Sequence, residues 1–283
     1  TDVQKIEAIT LGRLPHEVAT SFASSPQVWS SIVPNLPIFA LVRNLATLER
    51  HGVLDTHRAR IAKMLTDSNV ISKSKILPFR FVEATKHVTT PWVKDCLSVA
   101  LDLSFQNVPD ISGKTAVMID VSGSMMGHVS DKSGVTRVDL AATFGICLMK
   151  KAGLNGRLIT FNTYARNFEV LMSDSTVTQA KNLAATVGGG TDHSVAMMRL
   201  GHDKVDNIIY VTDEQQNTGS PLIDRIADYR RTVNKDVNLF IVDVGNSQDA
   251  LIPKDGRSWY MYGLNDSALK FISSAANGWT DMV

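Results

Sequence analysis

Five oxygen-bearing side chains in the second half of this 283-residue chain have the types and the spacing of a cation-binding site. Asp120, Ser122 and Ser124 alternate at the end of a short apolar run. Thr191 follows three consecutive glycines, and Asp213 ends another apolar run. Because ligands of an open α/β sheet bind beyond the carboxyl ends of its strands, we expect these side chains to meet at one edge. Hard oxygen donors suit Mg²⁺ or Mn²⁺ and argue against zinc.

An alternative without a metal is open for the same residues. Asp120 and Asp213 would then be turn residues at strand ends, and Ser122 would be a helix cap. This alternative requires the whole set to fall into place by coincidence. The neighbouring Asp192 is expected to cap the helix that begins at His193, and His193 itself is expected to be structural. Because no nucleophile with a paired base accompanies the set, we predict a docking site and no enzyme activity.

Apolar runs and helical stretches alternate after residue 112, and they predict the framework that positions this set. Four runs are expected to form parallel strands, at 116–121, 158–161, 207–211 and 237–242. Helical stretches cover 138–151, 178–187, 193–200, 222–233 and 267–276. This pattern indicates an α/β doubly wound, mostly parallel sheet with helices on both faces. The segment 162–172 is expected to add an antiparallel edge strand.

The first half of the chain has helical periodicity instead. Helices are expected to begin at or beside Pro15, Pro26, Pro37, Pro78 and Pro91, and Thr56 is expected to cap another that runs through Leu65. Five or six short helices in series predict a HEAT-like helical repeat, although no strict sequence period is present. The predicted domains are residues 1–110 and 111–283, joined at 105–114.

The composition excludes several classes of protein. The chain is 44% hydrophobic and 20% charged with a net charge of +1, which excludes wholesale disorder and argues against a strongly basic nucleic-acid binder. No apolar run reaches the roughly 18 residues of a membrane span, and the polar N-terminus predicts no signal peptide. We therefore expect a cytoplasmic chain with two free thiols, Cys96 and Cys147. The initial Thr1 suggests a processed chain or a fragment.

The order Asp120-x-Ser122-x-Ser124, then Thr191, then Asp213 resembles the metal-ion-dependent adhesion site of von Willebrand factor A domains. The resemblance implies an A-domain fold for residues 111–283, with Mg²⁺ or another divalent cation such as Mn²⁺ as the cofactor. It implies that the two serines bind the metal directly and that the threonine binds directly or through water. The aspartates would supply charge, often through water. A partner's carboxylate or other oxygen fills the open coordination position in such domains.

A second resemblance rests on three segments of the first half, Ser25–Trp29, Asn35–Leu45 and Ile76–Phe81. They are similar to the C-terminal part of the TROVE module of the Ro autoantigen family of RNA-binding proteins. The order TROVE then A domain is that family's own order, and the end from Ala268 to Val283 is also similar. Ro proteins have a longer helical region that closes into a ring. We therefore expect either a missing N-terminal part or a ring completed by partner chains or further copies.

The resemblance implies an RNA-binding scaffold that works in RNA quality control as a ribonucleoprotein. Its partners would be small noncoding RNA of the Y type, misfolded RNA 3′ ends, or both, and an exoribonuclease or an acidic protein ligand at the metal site. The alternative is a metal-dependent protein–protein adhesion module without RNA binding of its own. RNA binding should weaken steeply with salt, whereas adhesion should require Mg²⁺.

Basic residues of the first half are the candidate RNA contacts. Residues 50–75 hold six basic side chains and two acidic ones, which leaves a local excess of four positive charges. The candidates are Arg43, Arg50, Arg58, Arg60, Lys63, Lys73 and Lys75. Arg43 lies on an otherwise apolar helix and is expected either to pair with an acid in the core or to face the ring's inner wall. The alternative for the cluster is an ordinary solvated helical face. No aromatic stacking platform is evident, so base-specific recognition is not predicted.

Overall fold

The computed structural model describes residues 1–12, 14–129, 134–214, 217–245 and 255–279. The chain divides into two compact units, Thr1–Asn107 and Val108–Val283. The predicted junction at residues 105–114 spans this division. No helix within the described ranges is both long enough and apolar enough to cross a membrane.

The first unit is entirely helical in its described residues. Its helices are α1 (Asp2–Gly12), α2 (His16–Ser21), α3 (Pro26–Ile32), α4 (Ile38–Arg50), α5 (Arg58–Thr66), α6 (Ser68–Ser74), α7 (Pro78–His87) and α8 (Pro91–Leu103). Prolines stand at or beside the start of α2, α3, α4, α7 and α8, as predicted. A proline fits there because the first helical N–H groups have no intrahelical acceptor.

Two features of this unit differ from the prediction. Thr56 does not cap a helix, because it lies in a 3₁₀ turn, Asp55–His57, and α5 begins only at Arg58. Helices α1 and α6 were not predicted. The side chain of Asp67 caps α6 by accepting hydrogen bonds from the backbone N–H groups of Asn69 and Val70 at 2.8 and 3.2 Å. An aspartate before a short polar helix was therefore the signal that was missed.

The core of the first unit lies where α8 packs against α5, α6 and α7. Helix α4 adds a stripe of fully buried leucines, Leu41, Leu45 and Leu48, at helical spacing. Arg43 and Arg50 lie off this stripe and are exposed. The helix therefore fixes one apolar face in the core and turns its arginines outward.

Glu49 ties the end of α4 to the start of α8. Its carboxylate accepts hydrogen bonds from the backbone N–H groups of Thr89 and Thr90 at 2.9 and 2.7 Å, and from both hydroxyls. Burial raises the pKa of Glu49, but the hydrogen bonds from Thr90 and Thr89 outweigh it, so the pKa lies below its usual value. The carboxylate form therefore stabilises the folded state.

We expect Glu49→Gln to lower the free energy of unfolding by about 1 kcal/mol at neutral pH. The substitution removes the charge of the group that accepts the hydrogen bonds from Thr89 and Thr90, at a site that is partly exposed. A depressed folded-state pKa contributes stability above the unfolded pKa of about 4.3, and that stability is lost as the pH falls through the folded-state value. Urea denaturation at neutral pH and at progressively acidic pH checks this. Glu7→Gln, on the exposed surface of α1, is the control. Equal curves for the two variants at neutral pH would contradict the prediction.

The second unit is a six-stranded sheet covered by helices. Its strands are β1 (Thr115–Asp120), β2 (Gly156–Phe161), β3 (Ala165–Phe168), β4 (Asn207–Thr212), β5 (Asn238–Asp243) and β6 (Ser258–Tyr262), in the order β3-β2-β1-β4-β5-β6. All neighbours are parallel except β2 and β3. The helices are α9 (Arg137–Ala152), α10 (Thr176–Ala184), α11 (Ser194–Leu200), α12 (Leu222–Thr232) and α13 (Asp266–Ala276). The predicted fold class is confirmed, and β6 is an added edge strand.

Helices bury both faces of the sheet. Ala116 and Met118 of β1 pack in one buried cluster with residues of α11 and α12. Ile119 points to the opposite face, where it packs on Gly145 of α9. A Cβ at Gly145 would lie only 3.1 Å from the Ile119 side chain. In the register between β1 and β4, Ile119 is opposite Val211. The last residue of β1 and the last residue of β4 therefore emerge side by side at the middle of the sheet edge.

Candidate functional site

Asp120 is the last residue of β1 and is fully buried. Its Oδ1 accepts a hydrogen bond from the backbone N–H of Ser122 at 2.8 Å, and its Oδ2 accepts one from the Thr212 hydroxyl at 2.7 Å. The hydroxyl oxygens of Ser122 and Ser124 lie 3.2 Å apart in the turn that follows. The structure therefore brings the first three predicted site residues together in one turn.

Burial raises the pKa of Asp120 to about 6, against the hydrogen bonds from Ser122 and Thr212, which lower it. The charge of Asp213 raises it further. The charge of Asp213 thus disfavours the ionised form of Asp120, and a nearby cation would favour it.

Thr212 connects the ends of β1 and β4. Its hydroxyl donates to Asp120 and accepts hydrogen bonds from Nε2 of His193 at 2.9 Å and from the backbone N–H of Glu214 at 3.0 Å. Because a hydroxyl has one proton and two lone pairs, these bonds use its full capacity and place a proton on Nε2 of His193. His193 is fully buried, as a structural histidine would be.

The glycine loop before Thr191 lies against the turn after β1. The backbone N–H of Gly188 donates to the carbonyl of Val121 at 2.8 Å, and the N–H of Gly123 donates to the carbonyl of Gly189 at 3.0 Å. Gly189 has a φ of +79°, a conformation that favours glycine. These backbone bonds bring the loop that carries Thr191, itself 1% exposed, to the same edge.

Asp192 bonds the first residue of α11, but this helix begins at Ser194 with His193 as its N-cap residue, one position later than predicted. Its Oδ1 accepts hydrogen bonds from the backbone N–H of Ser194 at 2.8 Å and from its hydroxyl at 2.6 Å. Gly219 packs directly on this carboxylate, and a Cβ at Gly219 would overlap it. Asp192 is therefore committed to the helix start.

Asp213 follows β4 with a fully buried side chain, and it pairs with a residue that the sequence did not predict. Its Oδ2 lies 3.1 Å from Nη1 of Arg137 at the start of α9. Oδ1 of Asp213 and Nε of Arg137 are buried and have no hydrogen-bond partner in the described part of the chain. The pair balances the charge but leaves one acceptor and one donor unsatisfied. The residues are 76 positions apart, so no local pattern reveals the contact.

A second acidic group lies at the same sheet edge. The Tyr260 hydroxyl is 2.5 Å from Oε2 of Glu214 and 3.0 Å from Oδ2 of Asp243. Burial and the two carboxyl groups raise the pKa of Tyr260, so it stays a donor. Asp243 ends β5 as Asp120 ends β1. An apolar run that ends in an acid was therefore the missed signal for Asp243.

The donor set at this edge is mixed. In the ranges the structure describes, no three His, Cys, Asp or Glu side chains are grouped as metal ligands. A cation bound here would therefore depend on serine and threonine hydroxyls as well as on Asp120 and Asp213. Hydroxyl and carboxylate oxygens are the ligands of Mg²⁺ and Mn²⁺.

The predicted RNA contacts of the first unit have different surroundings. Four of them are exposed and form no ion pair with any described residue, namely Arg43, Lys63, Lys73 and Lys75. One of the two expectations for Arg43 is therefore wrong, because its side chain does not pair with an acid in the core. An arginine on the outward face of an amphipathic helix reaches solvent without losing hydration.

The other three candidates make contacts within the first unit. Nη2 of Arg50 donates to the Thr47 hydroxyl at 3.1 Å. The guanidinium of Arg58 lies 5.2 Å from the centre of the Trp92 ring. Nε of Arg60 donates to the carbonyl of Val33 at 3.1 Å, so Arg60 is structural at least in part.

A groove of about 530 Å³ lies between α4 and α7. Its lining residues are Phe39, Val42, Arg43, Ala46, Ile76, Arg80, Glu83, Ala84 and His87. Arg43 and Arg80 both line it, and Nη1 of Arg80 lies 4.0 Å from Oε2 of Glu83. Phe39, which also lines this groove, is 49% exposed. Arg43 therefore shares this groove with residues that all lie outside the basic segment 50–75.

Comparison with known proteins gives two family matches. The family model of the TROVE domain matches residues 16–113, and the model of the Ro60 vWA domain matches residues 114–276. The chain is 23% identical over 227 residues to the RNA-binding protein RO60 of Deinococcus radiodurans, which covers 73% of this chain and 43% of that protein. It is 28% identical over 134 residues to the RNA-binding protein RO60 of Caenorhabditis elegans, covering 42% of this chain and 21% of that protein.

The fold as a whole is similar to a solved structure. The crystal structure of the Deinococcus radiodurans RO (RSR) protein superposes with a TM-score of 0.83 at 19% sequence identity. The match covers 99% of this chain and 60% of that chain. The present chain therefore spans less than half the length of the two curated relatives and about three fifths of the solved structure.

Proposed function

We propose an RNA-binding scaffold function for this chain from one premise: the chain belongs to the Ro60 family, whose TROVE and vWA domains it carries in that order. The two relatives named above are called RNA-binding proteins, and this naming is the observation that carries the proposal. The proposed role is to bind and hold RNA in the cytoplasm and not to catalyse a reaction.

The proposed RNA surface is the groove between α4 and α7 together with the exposed lysines of α5 and α6. Arg43 and Arg80 present guanidinium groups that pair with phosphate oxygens, and such charge-assisted contacts are stronger than neutral hydrogen bonds. The exposed ring of Phe39 offers a face on which one unpaired base stacks. A groove with cations and one aromatic ring favours a single-stranded segment over a duplex.

The proposed RNA ligands are small noncoding RNA of the Y type and misfolded RNA with a free 3′ end. Both present unpaired nucleotides, which suit a groove of this composition. We further propose that the chain acts in RNA quality control beside an exoribonuclease, with an upstream part or further copies completing the helical ring.

A divalent cation, Mg²⁺ or Mn²⁺, is proposed for the edge formed by Asp120, Ser122, Ser124, Thr191 and Asp213. Two observations test the fit. The serine hydroxyls are 3.2 Å apart, and neighbouring ligands of an octahedral ion with bonds of about 2.1 Å lie about 3 Å apart. The buried Oδ1 of Asp213 has no partner among the described residues and would gain one. When bound, the ion would supply an open coordination position for an oxygen of a partner.

The chain's own residues would support that ion in distinct ways. Ser122 and Ser124 would bind it through their hydroxyls, and Thr191 would approach from the glycine loop. Both oxygens of Asp120 already accept hydrogen bonds, so Asp120 would act mainly through its charge. This docking position would suit an acidic protein ligand.

One binding experiment tests the proposal. Fluorescence anisotropy is measured with a labelled hairpin RNA that has a single-stranded 3′ tail, from about 50 to about 200 mM salt, with and without chelator. We expect the logarithm of the binding constant to fall linearly with the logarithm of salt, by about 0.7 for each single-strand phosphate neutralised. The chelator should leave this binding unchanged. No binding at low salt would overturn the RNA function and favour the adhesion alternative.

A further inference from the structure

We infer that Arg137 is a built-in competitor for the candidate metal centre: its guanidinium holds Asp213 until a divalent cation displaces it. The inference rests on the proposed cation site and adds a residue that governs how tightly, and how selectively, that site binds an ion. It is carried by the contact of Arg137 with Asp213, by the position of Arg137 in its helix and by the unsatisfied atoms of the pair.

The contact places the guanidinium on a carboxylate that belongs to the proposed site. Nη1 of Arg137 lies 3.1 Å from Oδ2 of Asp213, whose side chain is fully buried, whereas the Arg137 side chain is 21% exposed. The Arg137 backbone N–H donates to the carbonyl of Gly127 at 2.9 Å. A Cβ on Gly127 would lie 3.2 Å from Cζ of Arg137, so the glycine leaves room for the guanidinium beside the turn that carries Ser124.

The position of Arg137 at the start of its helix is unfavourable for a positively charged side chain. It is the first residue of α9, where the helix dipole and the free N–H groups favour negative charge. The capping box formed by Thr136 and Asp139 has the expected acidic residue at this end. Arg137 thus opposes the local electrostatics of its own helix, and the nearby carboxylate of Asp213 compensates it.

The ion pair is incomplete in a way that favours exchange. Only one of the two Asp213 oxygens is bonded, and both Oδ1 of Asp213 and Nε of Arg137 are buried without a partner among the residues described. A bidentate pair would satisfy both atoms and resist replacement. The single contact with Arg137 balances the charge of Asp213 but leaves its Oδ1 without a bond. A cation that binds both oxygens can therefore replace the guanidinium.

The exchange makes the site selective by charge. A monovalent ion that replaces the guanidinium brings no more charge than it removes, whereas a divalent ion adds one positive charge to an edge with buried Asp120 and Asp213. Arg137 therefore raises the ion concentration needed to load the site and disfavours Na⁺ and K⁺. Asp213 keeps a counter-charge in both states, which avoids an unpaired buried carboxylate.

Calorimetric titration of the full chain with Mg²⁺ and with Mn²⁺ tests the inference. The variants are Arg137→Gln, which removes the charge but keeps a donor near Asp213, and Arg137→Lys, which keeps the charge. Arg166→Gln, on the exposed edge strand β3, removes the same charge elsewhere and is the matched control. Asp213→Asn reports whether the ion uses this carboxylate at all. Melting curves with and without ion accompany each titration.

We expect Arg137→Gln to bind Mg²⁺ about tenfold more tightly than the wild type, which corresponds to about 1.4 kcal/mol. Without ion it should melt at a lower temperature than the wild type, and saturating Mg²⁺ should close that gap. The Arg137→Lys and Arg166→Gln variants should stay within about threefold of the wild type, and Asp213→Asn should lose binding.

Two failures are distinguishable. If the wild type binds the ion, Asp213→Asn does not, and Arg137→Gln binds no more tightly than Arg166→Gln, then the competition is overturned and the cation site stands. If neither the wild type nor Arg137→Gln binds either ion, or if Asp213→Asn binds as the wild type does, then the site is overturned together with the inference.

Discussion

Replacement of both groove arginines, Arg43→Gln with Arg80→Gln, is expected to weaken binding of a hairpin RNA with a single-stranded 3′ tail by about 30- to 150-fold at moderate salt. Each guanidinium reaches the groove between α4 and α7, and each contact of a charged donor with phosphate contributes about 1–1.5 kcal/mol at an exposed site. The salt dependence should fall by about 0.7 for each phosphate contact that is lost.

The matched control is the double variant Arg166→Gln with Lys181→Gln, which removes two exposed positive charges from the second unit. This control should bind within about threefold of the wild type and keep its salt slope. Anisotropy titrations at several salt concentrations measure both quantities. If the control weakens binding as much as the groove variant does, the groove is not the RNA surface and the effect is one of total charge.

Thr212→Val is expected to lower the free energy of unfolding of the second unit by about 3 kcal/mol, with a fall in Tm of about 6–12 °C. The substitution keeps the side-chain shape but removes a hydroxyl that makes three hydrogen bonds. It leaves the buried Oδ2 of Asp120, the Nε2–H of His193 and the N–H of Glu214 without this partner. Buried polar groups that lose a partner cost more than the bond itself contributes.

A second buried threonine provides the control. The Thr143 hydroxyl donates only to the carbonyl of Asp139 in its own helix, at 2.8 Å, and that carbonyl keeps its backbone partner when the hydroxyl is removed. Thr143→Val should therefore change stability by less than about 1 kcal/mol. Scanning calorimetry of the full chain compares the two variants. Similar losses for both would show that the Thr212 hydroxyl is not a special connection between β1 and β4.

The sequence predicts the fold of the second unit because its strands are apolar runs that end at turns. Buried parallel strands need no polar face, so Asn207–Thr212 stands out from the helices around it. The same reasoning places Asp120 and Asp213 at one edge, since Asp120 ends one central strand and Asp213 follows the other. The strand Ser258–Tyr262 was not predicted, because an edge strand is only partly buried and has no continuous apolar run.

The partners within the site could not be predicted, because they depend on contacts between distant parts of the chain. Thr212 looks like any β-branched strand residue until the register places it beside Asp120. Arg137 is an unusual residue for a helix start, but nothing near it in the sequence shows that its partner is Asp213, 76 positions away. In the first unit, periodicity shows that Arg43 is on an apolar helix, but only the packing of α4 decides which face reaches solvent.

The hydrogen bond between Thr212 and Asp120 has a consequence for the order of folding. It joins residues 92 positions apart, and the register between β1 and β4 must form before either side chain finds the other. Contacts of such long sequence separation form late, because loop closure must be achieved before they contribute. The turn from Asp120 to Ser124 can form locally, but its connection to β4 has no local precursor. An ion that used both Asp120 and Asp213 would therefore act on a chain whose central strands have already paired.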